Sequence, residues 1–356
     1  QWKSLPPRNV TVQTSGNGTA SASLNSAIPG TEIILTAEAD NGYWFEGWAV
    51  ISGDATIVDN RFTMPAENVT IRAVFVTERI SALTPGETYW FDLSGADIPG
   101  TVNSAVPDAT LHWVPFTYAG TINAYKLTSS QATTQEYAEN SQYDHSLFIA
   151  DYNVTNTVSW NDLNNKDMIF GTAYASGGVD YAMRAPSAGS GYTGFGNSER
   201  GIPESNEWDT ILNKSDEYIK NWSGAYSWGQ DTSSFYTSSR AIRGSLSARY
   251  WSYGIATDRY VEVGFRPVLE LPAPDQLASD SLKVVTLDLN GGKAGTSDTA
   301  SVNIVVKSGE SFTAPSSEGL TAQWKESFPN WTDSSGNVYE PGDTVPAGVT
   351  ELTAQW

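Results

Sequence analysis

In Val69-Thr70-Ile71-Arg72-Ala73-Val74-Phe75 the odd positions are apolar and the even ones mostly tolerate solvent, which is the period of a half-buried strand. Similar alternation, punctuated by turn residues, runs from residue 9 to 77 and predicts one small β module. Within it, Gly42-Tyr43-Trp44-Phe45-Glu46-Gly47-Trp48 sets large aromatics between glycines, as expected for the core of a domain too small to have much other core. Helical periodicity is clear once. Trp208, Ile211 and Leu212 stand at i, i+3 and i+4, behind Asn206 as an N-cap and with Asp209 at the third helical position. A shorter helical stripe joins Tyr218-Ile219 to Trp222. Elsewhere strands, turns and loops dominate, as in Gly189-Ser190-Gly191-Tyr192-Thr193-Gly194.

A second β module covers residues 283–356. Val285-Thr286-Leu287-Asp288-Leu289-Asn290-Gly291-Gly292 opens it, Tyr339-Glu340-Pro341-Gly342-Asp343-Thr344 makes a late turn, and Glu351-Leu352-Thr353-Ala354-Gln355-Trp356 closes it. The chain begins with the same Gln-Trp dipeptide that ends this module, so a preceding repeat is expected upstream. Joints fall near Thr77 to Ile80 and at Leu271-Pro272-Ala273-Pro274-Asp275, which has proline stiffness but little length. Three folded units are therefore expected: 1–78, 79–272 and 283–356. The terminal modules should act as spacers. The central unit does not repeat, and it is the seat of specific function.

The terminal modules carry a resemblance. Val10-Thr11-Val12, Pro29-Gly30-Thr31 before Ile33-Ile34-Leu35, the Gly42 to Trp48 aromatics, and Phe62-Thr63-Met64-Pro65-Ala66-Glu67-Asn68-Val69-Thr70 look like the divergent internalin-type B repeat of bacterial surface proteins. Residues 283–356 look like a related repeat. The central unit presents Met183-Arg184-Ala185-Pro186, then Asn206-Glu207-Trp208-Asp209, Tyr226-Ser227-Trp228-Gly229, Arg240-Ala241-Ile242-Arg243-Gly244 and Gly264-Phe265-Arg266-Pro267. That order resembles the formylglycine-generating-enzyme-like branch of the C-type lectin fold. The implied architecture is α+β, a C-type lectin-like centre flanked by small all-β, β-grasp-like repeats.

Composition narrows the function. The chain has 356 residues and no cysteine, so the paired-cysteine copper chemistry of the sulfatase-modifying enzymes on that branch has no thiolates to use. Forty acidic against twenty basic residues give a formal charge of −20, which repels phosphate backbones and anionic lipid headgroups. Nucleic acid is not an expected partner. No stretch approaches the ~20 apolar residues of a membrane span, and no membrane insertion of this fragment is expected. His112 and His145 stand without a second ligand at metal spacing, so neither metal nor cofactor is expected. Carboxylate pairs such as Glu204 with Glu207, or Asp209 with Asp216, carry no information in so acidic a chain, and Ser187 to Gly196 lacks the Lys-Ser/Thr ending of a phosphate loop. No catalytic constellation emerges, and the chain is read as a binding protein, not an enzyme.

Cysteine-free relatives of that lectin branch include the variable proteins of diversity-generating retroelements. Between the framework segments Arg240–Gly244 and Gly264–Leu269 lies a stretch rich in Tyr, Ser, Trp and Gly, the palette of recognition loops. The resemblance implies exposed, variable, ligand-binding positions at Ser245, Leu246, Ser252, Tyr253, Gly254, Ile255, Asp258, Tyr260, Val261 and Glu262. Ala248, Arg249, Tyr250, Trp251 and Arg266 would hold the scaffold. The implied role is a receptor or adhesin displayed extracellularly on a cell or virion. Its partner would be a protein ligand on another cell, host or phage surface. Glycan binding is the alternative, and a carbohydrate-active hydrolase a more distant one.

Overall fold

Strands Arg8–Ser15 and Val69–Val76 run parallel, Val10 opposite Val69 and Thr14 opposite Ala73, so the first and last strands of the N-terminal module close on each other. The structure, a computed structural model, describes residues 5–40, 42–122, 144–201, 206–271, 277–323, 328 and 330–356. The strand Trp44–Ser52 flanks Val69–Val76 on its other side. Burial alternates along Val69–Val76 as its pattern requires, and Val69 and Ile71 meet Ile33, Leu35, Phe62 and Met64 in one core. Trp44 is buried, while Phe45 and Trp48 are half-buried with ring centroids 5.1 Å apart.

The chain forms two compact units, Gln1–Arg79 and Ile80–Trp356. The second contains both the central region and the C-terminal β module. That module closes as the N-terminal one does, Leu282–Asp288 pairing in parallel with Glu351–Gln355. It does not behave as the expected spacer. Trp90 and Trp113, from the central region, are part of its core, while its Leu282 and Val305 join the central core. Trp113 Nε1 donates to the Glu318 carbonyl at 2.6 Å. The contact is close enough to require glycine, since a Cβ on Gly295 would lie 1.8 Å from the Pro107 carbonyl oxygen. Pro272 to Asp275 of the expected joint lie outside the described residues.

The centre is built on two six-stranded sheets. One orders its strands Thr172–Ser176, Val179–Arg184, Val268–Glu270, His145–Ala150, Val114–Ile122 and Thr88–Phe91. Val114–Ile122 and His145–Ala150 are buried at every position, as strands covered on both faces are. The other sheet runs Trp251–Ile255, Ser239–Gly244, Tyr226–Thr232, Val263–Phe265, Thr155–Asn156 and Thr101–Val102.

The α+β expectation is corrected: the protein is mostly β, 45% strand and 6% helix. Among the described residues the α-helices are Trp160–Asn164 and Glu207–Lys214. The second is the expected one, with Asn206 Oδ1 accepting from the Asp209 amide at 2.9 Å. The Tyr218 stripe yields only a single 3-10 turn at Asp216–Tyr218. Its helical path fails because Ile219 is extended and Asn221 takes a left-handed φ of 48°. Trp160–Asn164 was not foreseen, although Ser159 and Asp162 form a capping box at its start.

Candidate ligand-binding face

The motif residues do their work by pairing buried charges. Arg184 donates to Glu207 at 2.8 and 2.5 Å and to Glu270 at 2.8 Å. Glu207 also accepts from the Ser187 amide at 2.9 Å and lies 2.6 Å from His145 Nε2. Two residues on, Asp209 pairs with Arg243 at 2.7 Å, and Arg243 also donates to the Ala188 carbonyl at 2.8 Å. Burial would raise the Glu207 carboxyl, but the Arg184 guanidinium, with His145, reverses this and holds it well below the usual carboxylate range. Burial likewise opposes charge on His145, and the Glu207 bond overcomes it and raises that imidazole. Between these pairs the Trp208 indole donates to the Ala248 carbonyl at 2.8 Å. Arg266 is fully buried, donating to Ser227 Oγ at 3.0 Å and the Ala150 carbonyl at 2.7 Å. Helix Glu207–Lys214 is thus fastened to three strands.

On this base the strand Trp251–Ile255 pairs antiparallel with Ser239–Gly244, Tyr253 opposite Ala241 and Trp251 opposite Arg243. Because side chains alternate, Trp251, Tyr253 and Ile255 share one face. Trp251 is buried and donates its indole N–H to the Gly189 carbonyl at 2.8 Å. Around it stand Tyr192, with its centroid 5.8 Å from Trp251, Phe235 at 6.0 Å and Tyr253 at 6.2 Å. Tyr192 stacks on Phe235 at 5.3 Å, and Tyr236 meets Tyr253 at 5.2 Å. The outer rings stay open: Tyr192 is 45% exposed, Phe235 51%, Tyr236 57% and Tyr253 41%. These side chains carry no formal charge, an uncharged aromatic island on an acidic molecule.

The sequence-predicted positions do not form one face. Leu246, Tyr253, Ile255, Val261 and Glu262 are exposed. Ser245, Ser252, Asp258 and Tyr260 are half-buried. Gly254 is buried, which corrects its expected exposure: it sits on the opposite face of its strand, where a Cβ would lie 2.8 Å from the Trp228 ring and 3.3 Å from Tyr260. Val261 and Glu262 border a separate cleft of about 370 Å³, lined also by Asn103, Asn156, Asn221 and Tyr152. Of the scaffold positions, Ala248, Trp251 and Arg266 are buried, while Arg249 and Tyr250 are half-buried. Arg249 reaches Asp216 at 2.5 Å.

Sequence reasoning missed Tyr192, Phe235 and Tyr236. Their signal was present: Ser233-Ser234-Phe235-Tyr236-Thr237-Ser238 has the same aromatic and hydroxyl palette as the segment singled out. It lies in the loop that brings Tyr226–Thr232 back as Ser239–Gly244. Tyr192 belongs to the glycine-rich loop read as purely structural. His112 lies between Asp92 at 3.2 Å and Glu318 at 2.8 Å, and among the described residues no three metal-ligating side chains converge. Glu204 lies outside the described residues.

A family model described as the divergent InlB B-repeat domain matches residues 8–79. Among solved structures, the chain is similar to Treponema denticola variable protein 1, at 13% identity and a TM-score of 0.21, over 44% of this chain and 95% of that one. No curated protein matches the chain. No helix among the described residues is long and apolar enough to cross a membrane.

Proposed function

We propose that this chain belongs to an extracellular, surface-displayed binding protein, in which the rings of Tyr192, Phe235, Tyr236 and Tyr253 around Trp251 take a protein ligand. The observation that carries the reading is this cluster of partly exposed, mutually packed aromatics on a floor fixed by buried ion pairs. Rigid aromatic contact area surrounded by small hydroxyl residues is the composition of adaptable paratopes. An exposed aromatic cluster also costs solubility unless it has a use. The B-repeat match at residues 8–79 supports surface display. The order of framework motifs, which resembles C-type lectin-like variable proteins, supports a variable face, now centred on Tyr253 and Ile255. No chemistry is assigned to Glu207 or Asp209, since each is neutralised by an arginine.

Two measurements test this. Sequencing many copies of the locus should find substitutions at the exposed members of residues 245–262 and none at Trp251 or Gly254; variation spread evenly over framework and face would sink the variable-face reading. Selection of binders on the immobilised chain should return proteins that lose affinity on Phe235→Ala or Tyr253→Ala, and binders indifferent to both would place the site elsewhere.

A second reading has its own observation. The cleft beside Val261 and Glu262 is lined by asparagine amides, a carboxylate and the Tyr152 ring, groups that suit sugar hydroxyls. A glycan array probed with and without chelator, using Asn156→Ala as control, distinguishes it from the protein-ligand reading.

A further inference from the structure

Beneath the aromatic face lies a carboxylate that none of the ion pairs uses. Asp231 is fully buried, and its Oδ2 accepts the Ala188 amide at 2.5 Å. Among the described residues its Oδ1 has no hydrogen-bond partner. The charged groups on the elements packed around it are Glu207 and Asp209 on the helix, Arg184 and Arg243 on neighbouring strands, and Arg240 on the adjacent strand, whose guanidinium lies 4.4 Å over the Trp160 ring. Arg184 pairs with Glu207 and Arg243 with Asp209, Arg240 donates to the Thr237 and Ser239 carbonyls, and no cation among the described residues bonds to Asp231. An ionised carboxylate without a counter-charge is costly to hold in such a place.

The segment that Asp231 holds supports the face directly. The Gly189 carbonyl accepts the Trp251 indole N–H at 2.8 Å, and the Ser190 carbonyl accepts the Ser234 amide at 2.7 Å. Those two bonds fix the floor ring and the loop that carries Phe235 and Tyr236. Gly229 lets this segment lie close on the sheet, since a Cβ there would come within 2.3 Å of Ala188 Cβ.

We propose that Asp231 is a pH-sensitive support of the binding face: neutral, it keeps the Ser187–Ser190 segment closed, and ionised, it favours opening of that segment to water, which loosens the face. The proposal rests on the reading of that face as the binding site. Burial pushes the Asp231 carboxyl up to about 7, against the opposing backbone hydrogen bond from Ala188. The stability contributed by the neutral form is therefore full below the ordinary carboxylate value of 3.8 and is lost as pH rises through about 7. Mildly acid surroundings would keep the face rigid, and alkaline ones would loosen it.

Deuterium exchange of the Ala188 and Gly189 amides in the full chain, corrected for intrinsic rate, tests the proposal without any ligand. Between about pH 6 and pH 8.5 local opening should increase by roughly tenfold or more in the wild type and stay constant in Asp231→Asn, whose side chain cannot ionise. Opening that is independent of pH in the wild type, or that rises equally in the variant, overturns it. Should Asp231→Asn fail to fold, carbon-13 NMR of the wild-type carboxyl decides instead: a midpoint of about 6–8 supports the proposal and one below about 5 overturns it. Binders indifferent to Tyr253→Ala would remove the binding reading while leaving the exchange result intact, so the two can fail separately.

Discussion

Helix Glu207–Lys214 with its arginine partners and the aromatic rim around Trp251 lie on the same small region of sheet, yet they are built by opposite rules. The helix region buries Glu207, Asp209, Arg184 and Arg243 almost completely and matches each charge with another. The rim carries no charge and leaves Tyr192, Phe235, Tyr236 and Tyr253 half open to solvent. Buried ion pairs gain little net stability over apolar packing, but removing one partner strands the other. They therefore act as a registration device, fixing where the sheet, the helix and the Ser187–Ser190 segment sit. The rim contributes little to that registration, so substitutions there should leave the fold in place.

The comparison breaks most sharply at the buried charges. Arg184→Ala should destabilise the Ile80–Trp356 unit by about 3–5 kcal/mol in chemical denaturation, because it strips the buried Glu207 and Glu270 of the guanidinium they share. Trp251→Ala should cost a similar ~3–5 kcal/mol through lost volume and a lost indole hydrogen bond. If either costs no more than a rim substitution, the division between base and rim is wrong.

A smaller effect is expected where the two faces of one strand meet. Gly254→Val drives a side chain into the Trp228 ring and should cost ~1–3 kcal/mol by overpacking. At its neighbour Ile255, Ile255→Val should be almost silent. Equal melting shifts at the two positions would contradict the alternation on which the face is defined.

Acid sharpens the comparison from the other side. Glu207 has a lowered folded pKa, so its contribution is fully present above its ordinary value of 4.5 and is lost as pH falls below it. Denaturation midpoints should therefore fall on acidification below about pH 4.5, and the Glu207→Gln variant should show a shallower acid limb. An identical limb in both proteins would assign acid sensitivity to other carboxylates.

The smallest stability change is expected at the rim itself. Tyr253→Ala and Phe235→Ala should each shift stability by no more than ~0.5 kcal/mol, while weakening a selected binder by ~1–3 kcal/mol. Rim substitutions as costly as Trp251→Ala would make the cluster core and not surface.

The hydrophobic pattern by itself determined the N-terminal module and the cap and inner face of helix Glu207–Lys214, while the scaffold roles of Trp251 and Arg266 came from the resemblance of the ordered motifs to a known family. In each case the information is local, an alternation, a capping residue or a motif whose spacing survives in one segment. It did not reveal the balance of strand over helix in the centre. Short runs such as Tyr218-Ile219-Trp222 satisfy a helical stripe, and backbone angles at Ile219 and Asn221 decide against it.

Tertiary structure alone decided the rest. The rim joins Tyr192, Phe235 and Tyr253 from segments far apart in the chain, and no local period relates them. Gly254 looks like its neighbours in a list of small and aromatic residues, but its place opposite Trp228 follows from the register of Trp251–Ile255 on Ser239–Gly244. The C-terminal β module has the strand closure of a free-standing unit, yet Trp90 and Trp113 complete its core. Whether an apolar surface is finished within its own segment or by a distant one depends on contacts between residues far apart in sequence. A pattern of hydrophobic positions specifies which side chains must be buried, and only the assembled fold specifies against what.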